Sequence, residues 1–379
     1  MANFLNIHVL QTLPPSLVNR DQSGAPKTAI FGGVSRQRIS SQSLKRAVRE
    51  DMADRFDDID MGSRTRRPLE LVGNRIQDIT AERGEKWDLE KTIEAVTRFF
   101  KTAGFTVKPV DKKNDDEDEL DDGPLYPRLA YALFLSEPQV TAAAEFIVDT
   151  DGQTHTKDGK KINKKETGRW LKAHNGVPMS LFGRMIADLP EYNVDASVQV
   201  AHALGVHPIV PEVDFYTTVD DHNRATNESG GSMMGDIEFA SSTFYRYAGV
   251  NLDELGSNLG DADLAPRVAA AFADSFITTL PSAKANSFAH HSLPELVYVT
   301  VDNRPITLVD AFENPIMDDA RTRRQSTENA LVSEVERLRD GFGITPRAAW
   351  SIGSESESLG ETISLPDLTS ALESHLTQK

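Results

Sequence analysis

Three side chains suited to binding phosphate recur at helical spacing near the start of the chain. Gln42, Lys45 and Arg49 are three and four residues apart, which places them on one helical face, with Arg46 beside them. Free backbone N–H groups at the amino end of a helix also attract anions. With Ser40 or Ser41 as the N-cap, the pattern predicts an oxyanion cradle. The alternative is a solvated amphipathic helix whose apolar residues face the core.

The segment around this helix is basic, although the protein is acidic. Residues 20–49 contain seven cations and one acid, whereas the whole chain carries 58 acids, 41 lysines and arginines and a formal net charge of −17. An acidic total argues against indiscriminate coating of DNA. Arg20 and Lys27 in the preceding loop, and Arg36 and Arg38 just before the helix, favour the phosphate-binding alternative.

An aromatic pair, Phe215 and Tyr216, occurs in the alternating run at 213–221. Neighbouring strand residues point to opposite faces, so either one ring is core and the other exposed, or both wedge against nucleobases. The glycine-rich residues 227–236 and a second strand-like run at 237–250 follow. Two extended arms around a glycine-rich loop predict a protruding hairpin.

A second basic segment covers residues 157–172, with seven cations and two acids. Its lysines at 160, 161, 164 and 165 would share one helical edge. The edge is either a solvated face or a strip that follows a phosphate backbone. By contrast, residues 111–123 contain eight acids and two lysines, a composition typical of a solvated loop.

Several classes of catalytic and metal site are excluded or disfavoured. The chain has no cysteine, which excludes disulfides, thiolate metal sites and a cysteine nucleophile. Motifs of P-loop enzymes, zincins and α/β-hydrolases do not occur. The sequence at 220–222, Asp-Asp-His, and the pair His290–His291 allow a metal site or a histidine general acid as minor alternatives. We predict no metal and no cofactor.

The predicted elements that position these residues alternate between strands and helices. At 379 residues the chain is long enough for two or three domains. Strands are predicted at 3–10, 213–221, 237–250 and 293–302, and helices at 41–56, 85–104, around 127–148, at 265–281 and at 321–341. Residues 11–33 are predicted to be a loop, and residues 197–206 either a strand or a short helix. The order predicts an α/β or α+β fold.

No run approaches the length of about 18 apolar residues that a membrane-spanning helix needs. The amino terminus has no leading cation and no cleavage site of the secretory type. We therefore expect a cytoplasmic protein without a membrane partner.

Five runs of the sequence resemble one known family. They are NFLNIHVLQTLPPSLVNRD, AIFGGVSRQRISSQSLKRAVR, FYTTVDD, EFASSTFYRYAGVNL and PSAKANSFA. They are similar to the CasC family, the backbone subunit of the type I-E CRISPR Cascade surveillance complex. The resemblance is most specific over residues 3–49 and weak over 55–175.

The resemblance implies an α+β fold with a modified RRM-like (ferredoxin-like) palm, a helical fingers insertion and a β-hairpin thumb. The implied palm is discontinuous, at 1–57, 177–207 and 237–379, with fingers at 58–176 and the thumb at 208–236. It implies a non-catalytic, RNA-binding subunit of a ribonucleoprotein for antiviral defence. Copies of the chain would oligomerise along the CRISPR guide RNA, kink it at regular intervals and present its bases to target DNA. Other Cascade subunits and, indirectly, a recruited effector nuclease are the remaining implied partners.

The resemblance also implies site residues. RNA-contacting positions in the palm and thumb are Asn19, Arg20, Lys27, Ser40, Gln42, Lys45, Arg46, Arg49, Met185, Phe215, Tyr216, Thr217 and Lys284. Residues implied to support target DNA are Lys160, Lys161, Lys164 and Lys165. The thumb pair often begins with Trp in this family, whereas Phe215 stands here.

Two other functions are weighed against RNA binding without catalysis. A ribonuclease of related fold would use a histidine such as His8 or His290 and would cleave CRISPR repeat RNA. A structural or interaction protein would bind no nucleic acid at all.

Overall fold

The chain forms two compact units in the computed structural model. The first contains Met1–Arg55, Val198–Asp253 and Asp263–Lys379, and the second contains Phe56–Ser197 and Glu254–Ala262. The structure describes residues 3–55, 60–109, 126–153, 164–187, 189–217, 234–318 and 321–377. The second unit includes residues 177–197, which the sequence analysis assigned to the palm. The division into palm, fingers and thumb stays a prediction.

The strands of the described residues are short except for two. They are β1 (Phe4–Ser16), β2 (Thr28–Phe31), β3 (Val34–Ile39), β4 (Ser63–Thr65), β5 (Val107–Lys108), β6 (Arg128–Leu129), β7 (Leu133–Leu135), β8 (Val198–Val200), β9 (Ala203–Gly205), β10 (Glu212–Thr217), β11 (Met234–Asn251), β12 (Leu296–Asp302), β13 (Ala348–Ile352) and β14 (Glu361–Thr362).

The helices of the described residues lie in both units. They are α1 (Ser41–Arg55), α2 (Pro68–Glu82), α3 (Leu89–Ala103), α4 (Glu137–Asp149), α5 (Lys164–Thr167), α6 (Val177–Phe182), α7 (Leu252–Leu259), α8 (Ala265–Thr278), α9 (Ala285–Phe288), α10 (Arg323–Phe342) and α11 (Leu365–Thr377). No described helix is both long enough and apolar enough to cross a membrane.

The first unit contains a sheet in the order β14-β13-β12-β1-β11-β9-β3-β2, with β8 and β10 also paired to β11. The pairs are antiparallel except β13 with β14, which is parallel. This mostly antiparallel sheet with helices confirms the predicted α+β class.

Strand β1 is buried on both of its faces. Leu5, Ile7 and Val9 alternate with Asn6 and His8 along the predicted strand, and all five side chains are buried. Such an alternation is typical of a strand with one polar face in solvent, but here the polar face is buried as well. Strand β1 lies inside the sheet between β11 and β12, and both faces of the sheet are covered along this strand.

The predicted loop at 11–33 was too long at both ends. Strand β1 continues to Ser16, because its pairing with β11 runs through a register shift between Leu13 and Ser16. Pro14 and Pro15 lie at this shift and are exposed, which is where a sheet tolerates residues without an N–H donor. At the other end, β2 starts at Thr28.

Two further regions differ from prediction or were left open. Helical stretches were predicted around 127–148, but β6 and β7 precede α4. Helix α4 begins only after Ser136, whose hydroxyl accepts a hydrogen bond from the N–H of Gln139 in a capping box. Residues 197–206, left as strand or helix, contain the strands β8 and β9.

A buried arginine joins the sheet to the end of α8. The guanidinium of Arg246, on β11, donates to the side chain of Gln11 and to the carbonyl oxygens of Phe276, Ile277 and Thr279. Burial lowers the pKa of Arg246 to about 9. The last carbonyls of a helix have no partner within it, so Arg246 satisfies those of α8 and fixes where the following loop starts.

The second unit has its own apolar core, built from α2, α3, α4 and the segment around Trp170. Helix α3 begins after Asp88, which accepts a hydrogen bond from the N–H of Lys91, and ends at Gly104 in the left-handed conformation. The buried Arg184 donates hydrogen bonds to the carbonyls of Phe134, Leu171 and Tyr192.

Candidate nucleic-acid interface

Helix α1 places the predicted phosphate-binding face on the surface because its opposite face is core. Leu44, Ala47, Val48 and Met52 are buried, and α1 packs against α8 within the first unit. This apolar stripe recurs at helical spacing. Gln42 is exposed, and Lys45 and Arg49 are half-buried beside the stripe. The helix is therefore amphipathic and also presents the predicted cations.

The loop before the helix is attached to its amino end. The side-chain oxygen of Asn19 accepts a hydrogen bond from the N–H of Ser40 at 2.9 Å, and the carbonyl of Asn19 accepts one from the N–H of Lys27 at 2.9 Å. Arg20 forms an isolated bridge with Pro26. These bonds bring the predicted contacts of residues 19–27 next to those of α1.

The single acid of residues 20–49 binds donors of its own loop. The carboxylate of Asp21 accepts hydrogen bonds from the N–H and hydroxyl of Ser23 and from the N–H of Ala25, at 2.7 to 3.2 Å. The hydroxyl of Ser23 is the main cause of the lowered pKa of Asp21. The negative charge therefore serves to shape the turn between Arg20 and Lys27.

Backbone donors at the start of α1 are partly occupied within the protein. The N–H of Ser40 is bound by Asn19, and the N–H of Ser41 lies 3.4 Å from Nδ1 of His202. Ser40 itself is buried. The sequence analysis expected these donors to be open to phosphate. Because they are partly occupied, phosphate binding at this end of α1 depends more on side chains than on the helix terminus.

Arg36 is not part of the surface, contrary to the sequence analysis. Its guanidinium is fully buried and donates to the carbonyl oxygens of Phe31, Gly205, Phe312 and Glu313 at 3.0 to 3.2 Å. Arg36 and Arg38 are two residues apart on β3 and pair with Ala29 and Leu204, respectively. Arg36 holds three segments of the first unit together, and only Arg38 remains as a surface cation of this strand.

The cations of α1 lie in different electrostatic environments. Arg46 is 72% exposed and forms an ion pair with Glu50 at 2.7 Å, and this hydrogen bond raises the pKa of Arg46. Burial lowers the pKa of Lys45. A phosphate beside Lys45 would favour its charged form, whereas at Arg46 it would compete with Glu50.

The aromatic pair lies on an exposed two-stranded ribbon, and residues 218–233 lie outside the described residues. Strand β10 pairs with the start of β11 from Glu212 opposite Phe239 to Thr217 opposite Met234. Every residue of β10 is exposed. The paired strands agree with the predicted hairpin.

Neither aromatic ring of this pair is core. Phe215 is 61% exposed and Tyr216 is 38% exposed, and as neighbours in a strand they face opposite sides. A Cβ added at Gly235 would come within 2.7 Å of the Tyr216 hydroxyl. The Tyr216 ring therefore lies over Gly235, while Phe215 projects on the face that also carries the exposed Val213 and Met234.

Met185, in the second unit, is 82% exposed between two buried neighbours. Arg184 is held by the carbonyls of Phe134, Leu171 and Tyr192, and the N–H of Ile186 donates to Asn193 at 2.6 Å. These hydrogen bonds position the backbone on both sides of Met185, and its side chain stays accessible to another molecule.

Lys284 lies in the first unit, in the loop that Arg246 fixes. Its backbone is in the left-handed region, with φ of 56°, and its carbonyl accepts hydrogen bonds from the N–H groups of Ser287 and Phe288 in the short helix α9. A lysine in this conformation is uncommon. The side chain is exposed, as a contact with RNA requires.

The lysines implied to support target DNA are not characterised by the structure. Lys160 and Lys161 lie outside the described residues, and for Lys164 and Lys165 only the helix α5 is described. Arg169 and Lys172 of the same basic segment are exposed.

The histidines considered for RNA cleavage are inaccessible. His8 lies inside the sheet, where burial lowers its pKa to about 3, and Nδ1 is 2.9 Å from the Tyr245 hydroxyl. His290 is buried against the carbonyl of Pro281. Asp220, Asp221 and His222 lie outside the described residues. Among residues that the structure describes, no three His, Asp or Glu side chains form a group that would hold a metal ion.

One contact was missed by the sequence analysis. Nη1 of Arg38 lies 2.8 Å from Nδ1 of His202, although the two residues are 164 positions apart in the sequence. The run at 197–206 was ambiguous between strand and helix, so no local signal indicated that His202 would lie beside β3.

Comparison with solved structures finds chains of two CRISPR RNA-guided surveillance complexes. One, from a complex described as pre-nicking, has 36% identity and a TM-score of 0.79, with 98% of this chain and 100% of that chain covered. The other has 31% identity and a TM-score of 0.70, with 98% and 99% covered. A search of curated proteins found no match.

The family comparison covers nearly the whole chain as well. The family model of the CT1975-like proteins, which are Cas proteins, matches residues 5–374. The match includes both compact units and the whole of the predicted RNA-contacting surface. The chain belongs to the CT1975-like family of Cas proteins.

Proposed function

We propose that this protein is a non-catalytic backbone subunit of a CRISPR RNA-guided surveillance complex. Several copies stack head to tail along one guide RNA, each holding the RNA backbone with the surface formed by residues 19–49. The ribbon of β10 and β11 reaches over the RNA of a neighbouring copy and displaces a nucleotide at regular intervals. The bases between the kinks stay accessible for pairing with target DNA. Further subunits complete the complex, and a recruited nuclease acts on the target.

The observation that carries this proposal is the location of the basic segment on a fold whose relatives belong to such complexes. Lys27, Lys45 and Arg49 lie on connected elements at the surface of a protein with a net charge of −17. Two chains of RNA-guided complexes match over 98% of its length. A local basic surface on an acidic protein favours binding to phosphates at one place and discourages it elsewhere.

The finer assignment, to the type I-E complex and its CasC subunit, rests on the sequence runs within residues 3–49. It predicts that the chain assembles with guide RNA and the other subunits of a type I-E complex. Reconstitution with the subunits and guide RNA of a type I-E system, compared with those of another CRISPR type, tests the assignment. Equal assembly with both sets would contradict it.

RNA binding is tested with the purified full chain and a labelled single-stranded RNA of guide length. The double variant Lys45→Ala with Arg49→Ala removes two predicted phosphate contacts. Each lost contact makes the slope of log affinity against log salt shallower by about 0.7. Since phosphates carry no sequence information, the loss is the same for unrelated RNA sequences.

The matched control is Arg337→Ala with Arg339→Ala, on α10. It removes the same number of charges, and each of these arginines has an acidic partner, Glu334 or Asp340. We expect its salt slope to equal that of the wild type. A slope that changes equally in both double variants would show a general charge effect and would reject the assigned surface.

The stoichiometry and integrity of the RNA test the rest of the proposal. Native mass spectrometry should find several chains on one intact RNA. Cleaved RNA would instead support a ribonuclease.

A further inference from the structure

The side chain of His202 lies between a cation and the start of α1. Its Nδ1 atom is 2.8 Å from Nη1 of Arg38 and 3.4 Å from the backbone N of Ser41. Both neighbours are N–H donors, so Nδ1 is the acceptor. This arrangement requires the neutral imidazole with its proton on Nε2. Burial, and then the charges of Arg38 and Lys27, lower the pKa of His202, in agreement with a neutral ring.

Arg38 is held in place from two directions. Nε donates to the carbonyl of Thr28 at 3.2 Å, and Nη1 donates to His202. Within the described part of the chain, Nη2 of Arg38 and Nε2 of His202 make no hydrogen bond. The pair therefore presents a fixed guanidinium edge and an imidazole N–H, both of them donors.

The surroundings of this pair favour an anion. The backbone N–H of Arg38 donates to the carbonyl of Lys27 at 2.8 Å. This hydrogen bond places a second cation, Lys27, next to Arg38. Ser41 begins α1, whose amino end carries partial positive charge. The one acid of residues 20–49, Asp21, is bound by donors of its own turn.

We propose that Arg38 and His202 form a further phosphate contact for single-stranded RNA. Arg38 binds a phosphodiester oxygen through Nη2, and Nε2–H of His202 donates a second hydrogen bond. Nδ1 of His202 also positions the guanidinium, which would otherwise be held only by the carbonyl of Thr28. This inference rests on the proposed RNA-binding function of residues 19–49. It adds His202, which the sequence analysis did not assign to the site, and gives Arg38 a specific role.

The test uses the full chain and a labelled single-stranded RNA in a salt series. Arg38→Ala should make the salt slope shallower by about 0.7, because one phosphate contact is lost. His202→Ala removes no charge at neutral pH, yet it should weaken RNA binding about tenfold, since hydrogen bonds to charged groups are among the stronger ones. In the double variant, the fold loss in RNA affinity should be smaller than the product of the two single losses, because His202 acts partly through Arg38.

Two conservative variants separate positioning from a general structural role. The carboxamide oxygen of His202→Asn can take the place of Nδ1, so this variant should keep Arg38 in position and recover part of the affinity. The longer side chain of His202→Gln places its oxygen elsewhere and should recover less. Circular dichroism of each variant establishes that the fold is retained, and Arg339→Ala is the control with an unchanged slope.

Different results would overturn the phosphate contact, the positioning role of His202 or the proposed function. An unchanged salt slope in Arg38→Ala, or fully additive effects of the two alanine substitutions, would overturn this inference while the wild type still binds RNA. Equal affinities of His202→Asn and His202→Ala would overturn the positioning role. A wild-type chain that binds no RNA would overturn the proposed function, and this inference with it.

Discussion

Replacing Arg36 with alanine should destabilise the first unit severely, although Arg36 belongs to the same basic segment as the predicted RNA contacts. The guanidinium is fully buried and is bound by four backbone carbonyls. Alanine leaves these acceptors without a donor. At about 1 kcal/mol for each buried carbonyl, the loss is about 4 kcal/mol. That is a large part of the ~5–15 kcal/mol that stabilises a typical domain.

Urea denaturation followed by circular dichroism measures this loss, with Arg46→Ala as the matched control. Arg46 is 72% exposed and pairs with Glu50 one turn away, so its removal should cost about 0.5 kcal/mol or less. Hydrogen exchange should also speed up in the three segments that Arg36 joins, around residues 31, 205 and 312. If both variants lose less than about 1 kcal/mol, the hydrogen bonds of Arg36 do not hold these segments together.

Three further predictions concern the ribbon, the cradle and the core. Phe215→Ala with Tyr216→Ala should leave the thermal stability nearly unchanged, since both rings are exposed, but should weaken assembly on RNA by about 1–3 kcal/mol for each lost stack; aggregation or loss of folded protein would show that the rings are structural. RNA affinity should begin to fall at a lower pH in the wild type than in Lys45→Arg, because burial lowers the pKa of Lys45 and arginine keeps its charge; an identical decline in both proteins would reject this cause. His8 has a folded pKa of about 3 and an ordinary value of 6.5, so its contribution to stability is complete above pH 6.5 and is lost as the pH falls toward 3, at about 1.4 kcal/mol per pH unit; His8→Phe, which also removes the bond to Tyr245, should show a shallower acid loss, and parallel curves would contradict the assignment.

Local sequence patterns predicted several elements well. Helix α1, helix α3, helix α10 and strand β12 lie within a few residues of their predicted positions. In α1 and α3 the signal is an apolar stripe at helical spacing, and in β12 it is a run of β-branched and aromatic residues. The errors arose where tertiary pairing overrides local chemistry. The prolines at 14 and 15 indicate a loop, yet pairing with β11 carries β1 past them to Ser16.

The candidate site was predicted less completely than the fold, because the charge of a residue does not indicate whether its side chain lies in the core or at the surface. Arg36 and Arg38 are two residues apart in one strand and look alike in the sequence, but the first is buried against carbonyls and the second is bound to His202 at the surface. Strand alternation gives two residues at this spacing the same face. In the structure, other segments of the chain cover Arg36 on this face but leave Arg38 at the surface. No local sequence pattern marks where this covering stops.

Strand β11 is a continuous rod that joins the exposed ribbon to the centre of the sheet. It runs from Met234, opposite Thr217, to Asn251, opposite Phe4, without leaving the extended conformation. Eighteen residues at ~3.3 Å each make it about 60 Å long. Its inner half is hydrogen-bonded to β1 along most of its length, with the register shift between Leu13 and Ser16 near the point where the ribbon leaves the sheet.

The reach of the ribbon is therefore set by residue count. Adding one residue to each strand would lengthen it by about 3.3 Å and turn Phe215 to the opposite face, whereas adding two would lengthen it by about 6.6 Å and keep its face. If copies assemble on RNA as proposed, the strand length of one copy sets how far its ribbon reaches along the RNA held by the next copy.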